Sequence, residues 1–263
     1  LDILKGEIQY FYPDSKEHRM CHVVPLFGAL AFKRSGGMIA ALQGGFATID
    51  LDNGTMQIIS EVETDLPDNR FNDGKCDPVG RFWAGTMSIS NAPNAGSLYV
   101  LEKDLTVSTK IIGVTCSNGM AWSLDHKTLY YIDTPTRNVV AYNYDVLNGN
   151  ITNMRVVINI PKGKGYPDGM TIDNEGMLWV ALWNGWNVIR YDPYTGKQLH
   201  QITLPVSQVT SCVFGGVAMD DLYITSARAG LSEYDLKAQP LAGSLFVIKK
   251  SGFKGMNEFE FDG

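Results

Sequence analysis

The sequence predicts an all-β fold, a six-bladed β-propeller forming one domain over residues 1–263, and three observations lead there. Five dipeptides ending in glycine recur at near-constant spacing: Phe27-Gly28, Asp73-Gly74, Asn118-Gly119, Asp168-Gly169 and Phe214-Gly215, at intervals of 46, 45, 50 and 46 residues. A period in the forties marks a radial or solenoid repeat. Behind each dipeptide comes a turn and a short strand-forming run, and behind that a second strand that is usually followed by a hairpin turn. Helical periodicity is almost absent, and no long amphipathic stretch stands out.

The first set of runs is SGGMIAAL (35–42), DPVGRFWAG (77–85), LDHKTLYYID (124–133), DNEGMLWVAL (173–182) and MDDLYITSA (219–227). Aromatic and β-branched residues between turn formers favour strands. The second set is FATIDLDNGT (46–55), SLYVLEKDLT (97–106), VVAYNYDVLNGN (139–150), VIRYDPYTGK (188–197) and SLFVIKKSGF (244–253). Their Asp-Asn-Gly, Leu-Asn-Gly and Tyr-Thr-Gly tails are hairpin signals. A sixth copy of this second set, IQYFYPDSKE (8–17), stands without an upstream partner beyond Leu1-Asp2-Ile3. Six outer hairpins and five complete inner units give six blades, the first lacking its inner strand. A β-sandwich is the competing all-β architecture, but it does not account for the spacing of the glycines. Surface loops are expected at 88–96 and 161–167, and a long excursion over 226–243 is placed to cover one mouth of the channel.

Composition narrows the function. The chain has 263 residues, 44% of them hydrophobic, and a net charge of −6. A diffuse acidic balance without a Lys/Arg cluster argues against a nucleic-acid partner. Absence of an apolar run of roughly 18 residues argues against a membrane span. No signal-peptide pattern opens the chain, although it also lacks an initiator methionine. Cys21, Cys76, Cys116 and Cys212 form no C-x-x-C pair and are expected to be reduced, which suggests the cytoplasm. His18 and His22 flank Cys21 and are read as part of a polar turn entering a strand.

In a propeller the innermost strand of each blade faces a central channel. Asp73, Asn118 and Asp168, in equivalent positions, are therefore expected to crowd one channel mouth. Like charges held together call for a cation, and Asp and Asn oxygens suit Ca²⁺, Mg²⁺ or Mn²⁺ better than Zn²⁺. The plainer reading is that Asn-Gly and Asp-Gly are common turn dipeptides; their registration across repeats favours a site. Phe27 and Phe214 in the same positions are either channel walls or ordinary core. The G-x-S-x-G, H-E-x-x-H and G-x-x-x-x-G-K-[ST] motifs are absent.

Arg70-Phe71-Asn72-Asp73-Gly74-Lys75, then Asp77-Pro78 and Ala84-Gly85-Thr86-Met87, resembles a signature of the senescence-marker-protein / gluconolactonase / luciferin-regenerating-enzyme family of regucalcin-like proteins. Ser117-Asn118-Gly119-Met120-Ala121-Trp122-Ser123, Pro167-Asp168-Gly169-Met170 and Thr210-Ser211-Cys212-Val213-Phe214-Gly215-Gly216 are similar to three further signatures, so the likeness spans the chain. The resemblance implies a six-bladed propeller that hydrolyses sugar-acid lactones with a divalent metal, Ca²⁺ first and Mg²⁺, Mn²⁺ or Zn²⁺ as alternatives. It implies Asn118 and Asp168 as metal ligands, Asp168 as general base, and Arg70, Asn72 and Asp73 as substrate contacts. A third ligand of the family, a glutamate in a Gly-Glu-x-Pro segment, is expected upstream of Leu1. Met87-Ser88-Ile89-Ser90 lacks the acidic residues that some relatives carry there, which points to a different substrate preference. The expected partner is a small molecule. Alternatives are another ester or a luciferin-related substrate at the same metal, or a non-catalytic calcium-binding or scaffold propeller.

Overall fold

The computed structural model describes residues 1–13, 15–23, 26–50 and 55–263. The Asp-Asn-Gly hairpin tail expected at 52–54 lies outside the described residues. The chain forms two compact units, residues 1–117 with 259–263, and residues 118–258.

In the first unit, β1 (Glu7–Tyr12) and β2 (Glu17–His22) make a two-stranded sheet. A four-stranded sheet follows, with β3 (Phe27–Phe32), β4 (Met38–Leu42), β5 (Gly45–Ile49) and β6 (Met56–Glu61) side by side in chain order. The next sheet repeats the order with β7 (Asn69–Cys76), β8 (Phe82–Ser88), β9 (Gly96–Leu101) and β10 (Val107–Val114). The second unit takes up β11 (Ser117–Trp122), which opens at the junction, and aligns it with β12 (Thr128–Asp133), β13 (Asn138–Asp145) and β14 (Asn150–Asn159). Then come β15 (Tyr166–Ile172), β16 (Leu178–Trp183), β17 (Asn187–Tyr191) and β18 (Gln198–Thr203). The last sheet has three strands, β19 (Val209–Gly215), β20 (Asp221–Ser226) and β21 (Leu245–Ile248).

The expected strands are all present, and the five glycine dipeptides lie on the first strands of the five larger sheets, β3, β7, β11, β15 and β19. The propeller class stands, but the blade number is five rather than six. The hairpin β1–β2 stands as a two-stranded sheet outside the five. Residues 1–6 turn back on themselves, with Asp2 and Glu7 bridged in antiparallel fashion and Gly6 at φ 67°, so the hairpin gains no inner sheet.

Second strands are the most deeply buried, two of them along their whole length. Every residue of β4 (MIAAL) and of β8 (FWAGTMS) is buried, because consecutive sheets pack against both faces. That explains why these runs read as continuous apolar stretches rather than alternating ones. The outermost strands, such as β14, are largely exposed. Cores sit between neighbouring sheets. Ala29, Ile39, Phe46, Phe71, Phe82 and Leu101 fill one in the first unit. Tyr130, Ile132, Met170, Leu178 and Val180 fill one in the second, and Trp179, Cys212, Phe214 and Leu222 another. Phe27 and Phe214 are members of such cores, which settles both as packing residues.

Two buried aspartates fasten the turn between first and second strands. Asp77 takes backbone N–H bonds from Val79 (3.0 Å) and Arg81 (2.9 Å) on Oδ1, while Oδ2 takes Trp83 Nε1 at 3.0 Å and Arg81 Nη1 at 3.2 Å. Asp173 repeats the arrangement: Glu175 N and Met177 N at 3.0 Å on Oδ1, with Trp179 Nε1 (2.9 Å) and Arg190 Nε (2.7 Å) on Oδ2. Ser123 fills the same place in the repeat between them, its Oγ accepting from Lys127 N and Thr128 N.

The excursion at 226–243 holds the one α-helix among the described residues, α1 (Glu233–Ala238). A capping box closes its N-terminus: Ser232 accepts from Asp235 N, and the Asp235 carboxylate accepts from Ser232 N. Two orphan donors are thereby satisfied. Leu231 and Leu236 pack on the last core, and Gln239 Oε1 accepts from Ser207 N at 2.7 Å. The hairpins ending in Gly149 and Gly196 are as expected, both glycines having positive φ. His18, Cys21 and His22 lie on β2, and all four cysteines are free thiols. Among the described residues no helix is long and apolar enough to cross a membrane.

Candidate functional site

Four of the five first strands share a device at the end where the sequence placed the site. β3 slips register between Phe27 and Ala29, β7 between Phe71 and Asp73, β15 between Pro167 and Met170, and β19 between Val209 and Ser211. β-Bulges of this kind re-aim side chains and recur beside active sites. The glycines let first strands approach each other closely. A Cβ on Gly28 would lie 2.2 Å from the Phe71 carbonyl oxygen, one on Gly119 2.7 Å from that of Asp168, and one on Gly169 2.4 Å from Ser211 Oγ. At these three positions glycine thus has a steric cause that holds whatever residue precedes it, whereas the nearest neighbours of Gly74 and Gly215 are the Trp83 carbonyl and the Tyr223 ring of their own sheets.

In the second unit this approach sets β11 beside β15. Asn118 is buried, at 6% exposure, and donates Nδ2 to Thr134 Oγ1 at 2.8 Å. Thr134 donates onward to the Pro167 carbonyl, also at 2.8 Å. The relay ties Asn118 to the peptide that precedes Asp168, a half-buried carboxylate. Asn118 and Asp168 therefore stand on adjoining strands, as the repeat reading requires. The Asn118 side chain carries an amide oxygen as well as this donor nitrogen. That oxygen and a carboxylate are hard donors of the type Ca²⁺ and Mg²⁺ take. Among the described residues no group of three or more His, Cys, Asp or Glu stands together.

In the first unit Arg70, Asn72 and Asp73 lie together on β7, all half-buried. Arg70 donates from Nη1 to the Phe71 carbonyl and to Asn72 Oδ1, both at 2.9 Å, and from Nη2 to Met87 Sδ at 3.3 Å. Burial presses its guanidinium below the usual value, and neighbouring Cys116 offsets part of that. Asn72 donates Nδ2 to the Ser117 carbonyl at 2.9 Å. Asp73 Oδ1 accepts from Gly74 N at 2.7 Å. Cys116 contacts both Met87 Sδ (3.6 Å) and Asn72 Nδ2 (3.8 Å), a sulfur pair against the β7 side chains that the sequence did not signal. Past Met87, Ser88 and Ser90 turn their hydroxyls onto Asp68 Oδ2, at 2.6 and 2.5 Å, and these bonds hold the Asp68 carboxyl below its usual range. A carboxylate from outside the Met87–Ser90 segment thus serves that corner.

Comparison with known proteins agrees with these features. The SMP-30/Gluconolactonase/LRE-like region family matches residues 1–228. A regucalcin of Xenopus laevis is 41% identical over 268 residues, covering 100% of this chain and 90% of the relative. One of Oryctolagus cuniculus is 44% identical over 240 residues, covering 89% and 80%. Among solved structures, a luciferin-regenerating enzyme superposes with a TM-score of 0.93 at 33% identity, over 99% of this chain and 90% of that one. A regucalcin from Agrobacterium tumefaciens, described as a calcium-binding protein, gives a TM-score of 0.93 at 30% identity, over 98% and 87%. The first-strand bulges, the repeated glycines and these matches together establish that the chain belongs to the SMP-30/gluconolactonase/LRE-like family.

Proposed function

We propose that the protein is a metal-dependent hydrolase of sugar-acid lactones, with Asn118 and Asp168 holding the cation and Asp168 acting also as general base. The relay Asn118–Thr134–Pro167 is the observation that carries this reading, since it ties an amide and a carboxylate to adjoining strands. It supports the reading in a chain whose family includes gluconolactonases by name.

The divalent ion, Ca²⁺ first and Mg²⁺, Mn²⁺ or Zn²⁺ as alternatives, supplies Lewis-acid polarisation of the ring carbonyl when bound. Asp168 takes a proton from the attacking water as its oxygen adds to the carbonyl carbon. The ring C–O bond then breaks, and the ring oxygen leaves as a hydroxyl after receiving a proton. Arg70 and Asn72 orient the lactone, and Asp73 accepts from a sugar hydroxyl. Orientation of this kind lowers the entropy cost of reaching the transition state. Thr134 keeps the Asn118 amide from turning.

The test is hydrolysis of a panel of lactones by untreated protein, chelated protein resupplied with each ion in turn, and the Asp168→Ala and Asn118→Ala variants. Loss of the general base is expected to cut turnover about 10²- to 10⁴-fold. Chelation abolishes activity, and one ion restores it. Undiminished turnover in Asp168→Ala or after chelation removes the reading. The luciferin-regenerating relative favours a second substrate class, another ester at the same metal, which the same assay addresses if esters join the panel. The relative described as calcium-binding favours a non-catalytic calcium binder, which predicts calcium uptake by calorimetry and no turnover of any lactone.

A further inference from the structure

Outside the first strands, the second unit holds a cleft walled by two neighbouring sheets. It measures about 410 Å³, within the range that takes up small organic molecules. Thr128, Tyr130 and Arg155 line one side, and Pro193, Tyr194 and Thr195 of the β17–β18 turn line the other. On the first wall Tyr130 pairs with Ala141 and Ala141 with Arg155, so the three form one row across β12, β13 and β14 and share a face. Ala141 puts only a methyl between the phenol and the guanidinium. The second wall is held by Asp192, which accepts from Tyr194 N at 2.8 Å and from Thr195 Oγ1 at 2.7 Å. A Cβ on Gly196 would lie 2.9 Å from the Val157 carbonyl oxygen, so the turn sits directly on β14.

Two polar groups on the first wall have capacity to spare. Tyr130 is 4% exposed, yet no group among the described residues hydrogen-bonds its hydroxyl. Burial raises this phenol to about 12, so it stays an O–H donor at neutral pH. Arg155 is exposed, donates Nη1 to Asn143 Oδ1 at 3.1 Å and pairs with no carboxylate among the described residues. Arg81 and Arg190 behave differently, each paired with two carboxylates: Asp77 and Glu102 for Arg81, Asp173 and Glu175 for Arg190. The carboxylates that reach the Tyr130 corner are already held, Asp125 by Ser123 Oγ and Lys127 N, Asp192 by the turn. A buried hydroxyl without a partner is costly, and a planar guanidinium is matched best by a carboxylate. We propose that the cleft is a second binding site, for a small carboxylate carried on a flat aromatic body. Arg155 and the Tyr130 hydroxyl donate to the carboxylate, and the ring lies against Pro193 and the exposed Tyr194 side chain.

The experiment is calorimetric titration of the protein with 2-naphthoate, with its neutral amide 2-naphthamide and with inorganic phosphate. 2-Naphthoate is expected to bind with a Kd of roughly 0.05–1 mM, and the other two at least about 10-fold more weakly. Arg155→Gln weakens 2-naphthoate roughly 10-fold and 2-naphthamide less than about 2-fold, and Tyr130→Phe weakens 2-naphthoate about 3- to 10-fold. Tyr194→Ala weakens both aromatic probes together and leaves phosphate unchanged. Arg155 and Tyr194 are exposed, so these two variants are expected to keep the native Tm. Chelation changes none of the affinities, because Asn118 and Asp168 stand on other strands, β11 and β15. Failure of 2-naphthoate to bind, unaltered binding in Arg155→Gln, or phosphate bound as tightly as 2-naphthoate overturns the proposal and leaves lactone hydrolysis standing. Binding that vanishes on chelation overturns it too, since the ligand then belongs to the candidate metal centre.

Discussion

Asp73 and Asp77 lie four residues apart on one strand and its turn, and Asp168 and Asp173 repeat the pairing five residues apart. The second member of each pair is fully buried, with both carboxylate oxygens saturated by two backbone N–H groups, a tryptophan and an arginine. The first member is half-buried beside a bulge. The same residue type therefore serves as a fully buried joint at one end of the strand and stands half-buried at the other. What separates the two is the supply of fixed donors, above all a tryptophan six residues downstream whose indole N–H reaches back. An acid met by four donors has no capacity left for chemistry, whereas one at a bulge has been turned away from the ladder.

That contrast can be broken most directly at the joints. Asp173→Ala strands Arg190 with only the exposed Glu175 and deprives Trp179 of its acceptor, so it is expected to cost about 3–5 kcal/mol, read by urea unfolding. Asp168→Ala in the same measurement is expected to cost under about 1 kcal/mol. If Asp168→Ala unfolds the protein as readily as Asp173→Ala, the division between buried joint and half-buried acid fails. The next effect is steric. Gly169→Ala drives a methyl into Ser211 and is expected to cost about 1–3 kcal/mol, with Ser211→Gly restoring part of it. A neutral Gly169→Ala shows that the close approach of β15 and β19 is not required.

The smallest effect comes from alkaline pH, which touches neither acid pair and reports how dry the sheets around them are. Burial raises the Tyr99, Tyr130 and Tyr191 phenols, each to about 12. An unfolded phenol ionises near 10. Between those values the unfolded chain has released protons that the folded chain retains, so stability is fully present below about pH 10 and falls as pH rises toward 12. Tm measured across that window declines, and Tyr191→Phe makes the decline shallower. A flat profile means that these rings are wetter than the structure indicates.

Much of this was legible in the residues. The strands came from runs such as LWVAL and LYYID, whose burial on both faces leaves an apolar signature. Asn118 and Asp168 came from registration across repeats, and they do stand on adjoining strands. The blade number was not legible, because IQYFYPDSKE looks like any other outer hairpin and only coordinates reveal that residues 1–6 turn back instead of extending. Helix α1 escaped notice because six residues are too few to show a period. Asp77 and Asp173 escaped because their role depends on an indole brought back by the turn, and the charge at Asp68 because it reaches the Met87 corner from another segment.

Each slipped rung between strands resets the two-residue phase of inward and outward side chains. Downstream of the slip the chain keeps its core-facing pattern; upstream it is at liberty to present whatever residue the cavity requires. Diversification can therefore act on the few positions ahead of the slip or within it, such as Arg70, Asn72 and Asp168, without reshuffling the apolar interior. Deleting one residue there would have the opposite consequence, throwing every later side chain of the strand onto the wrong face.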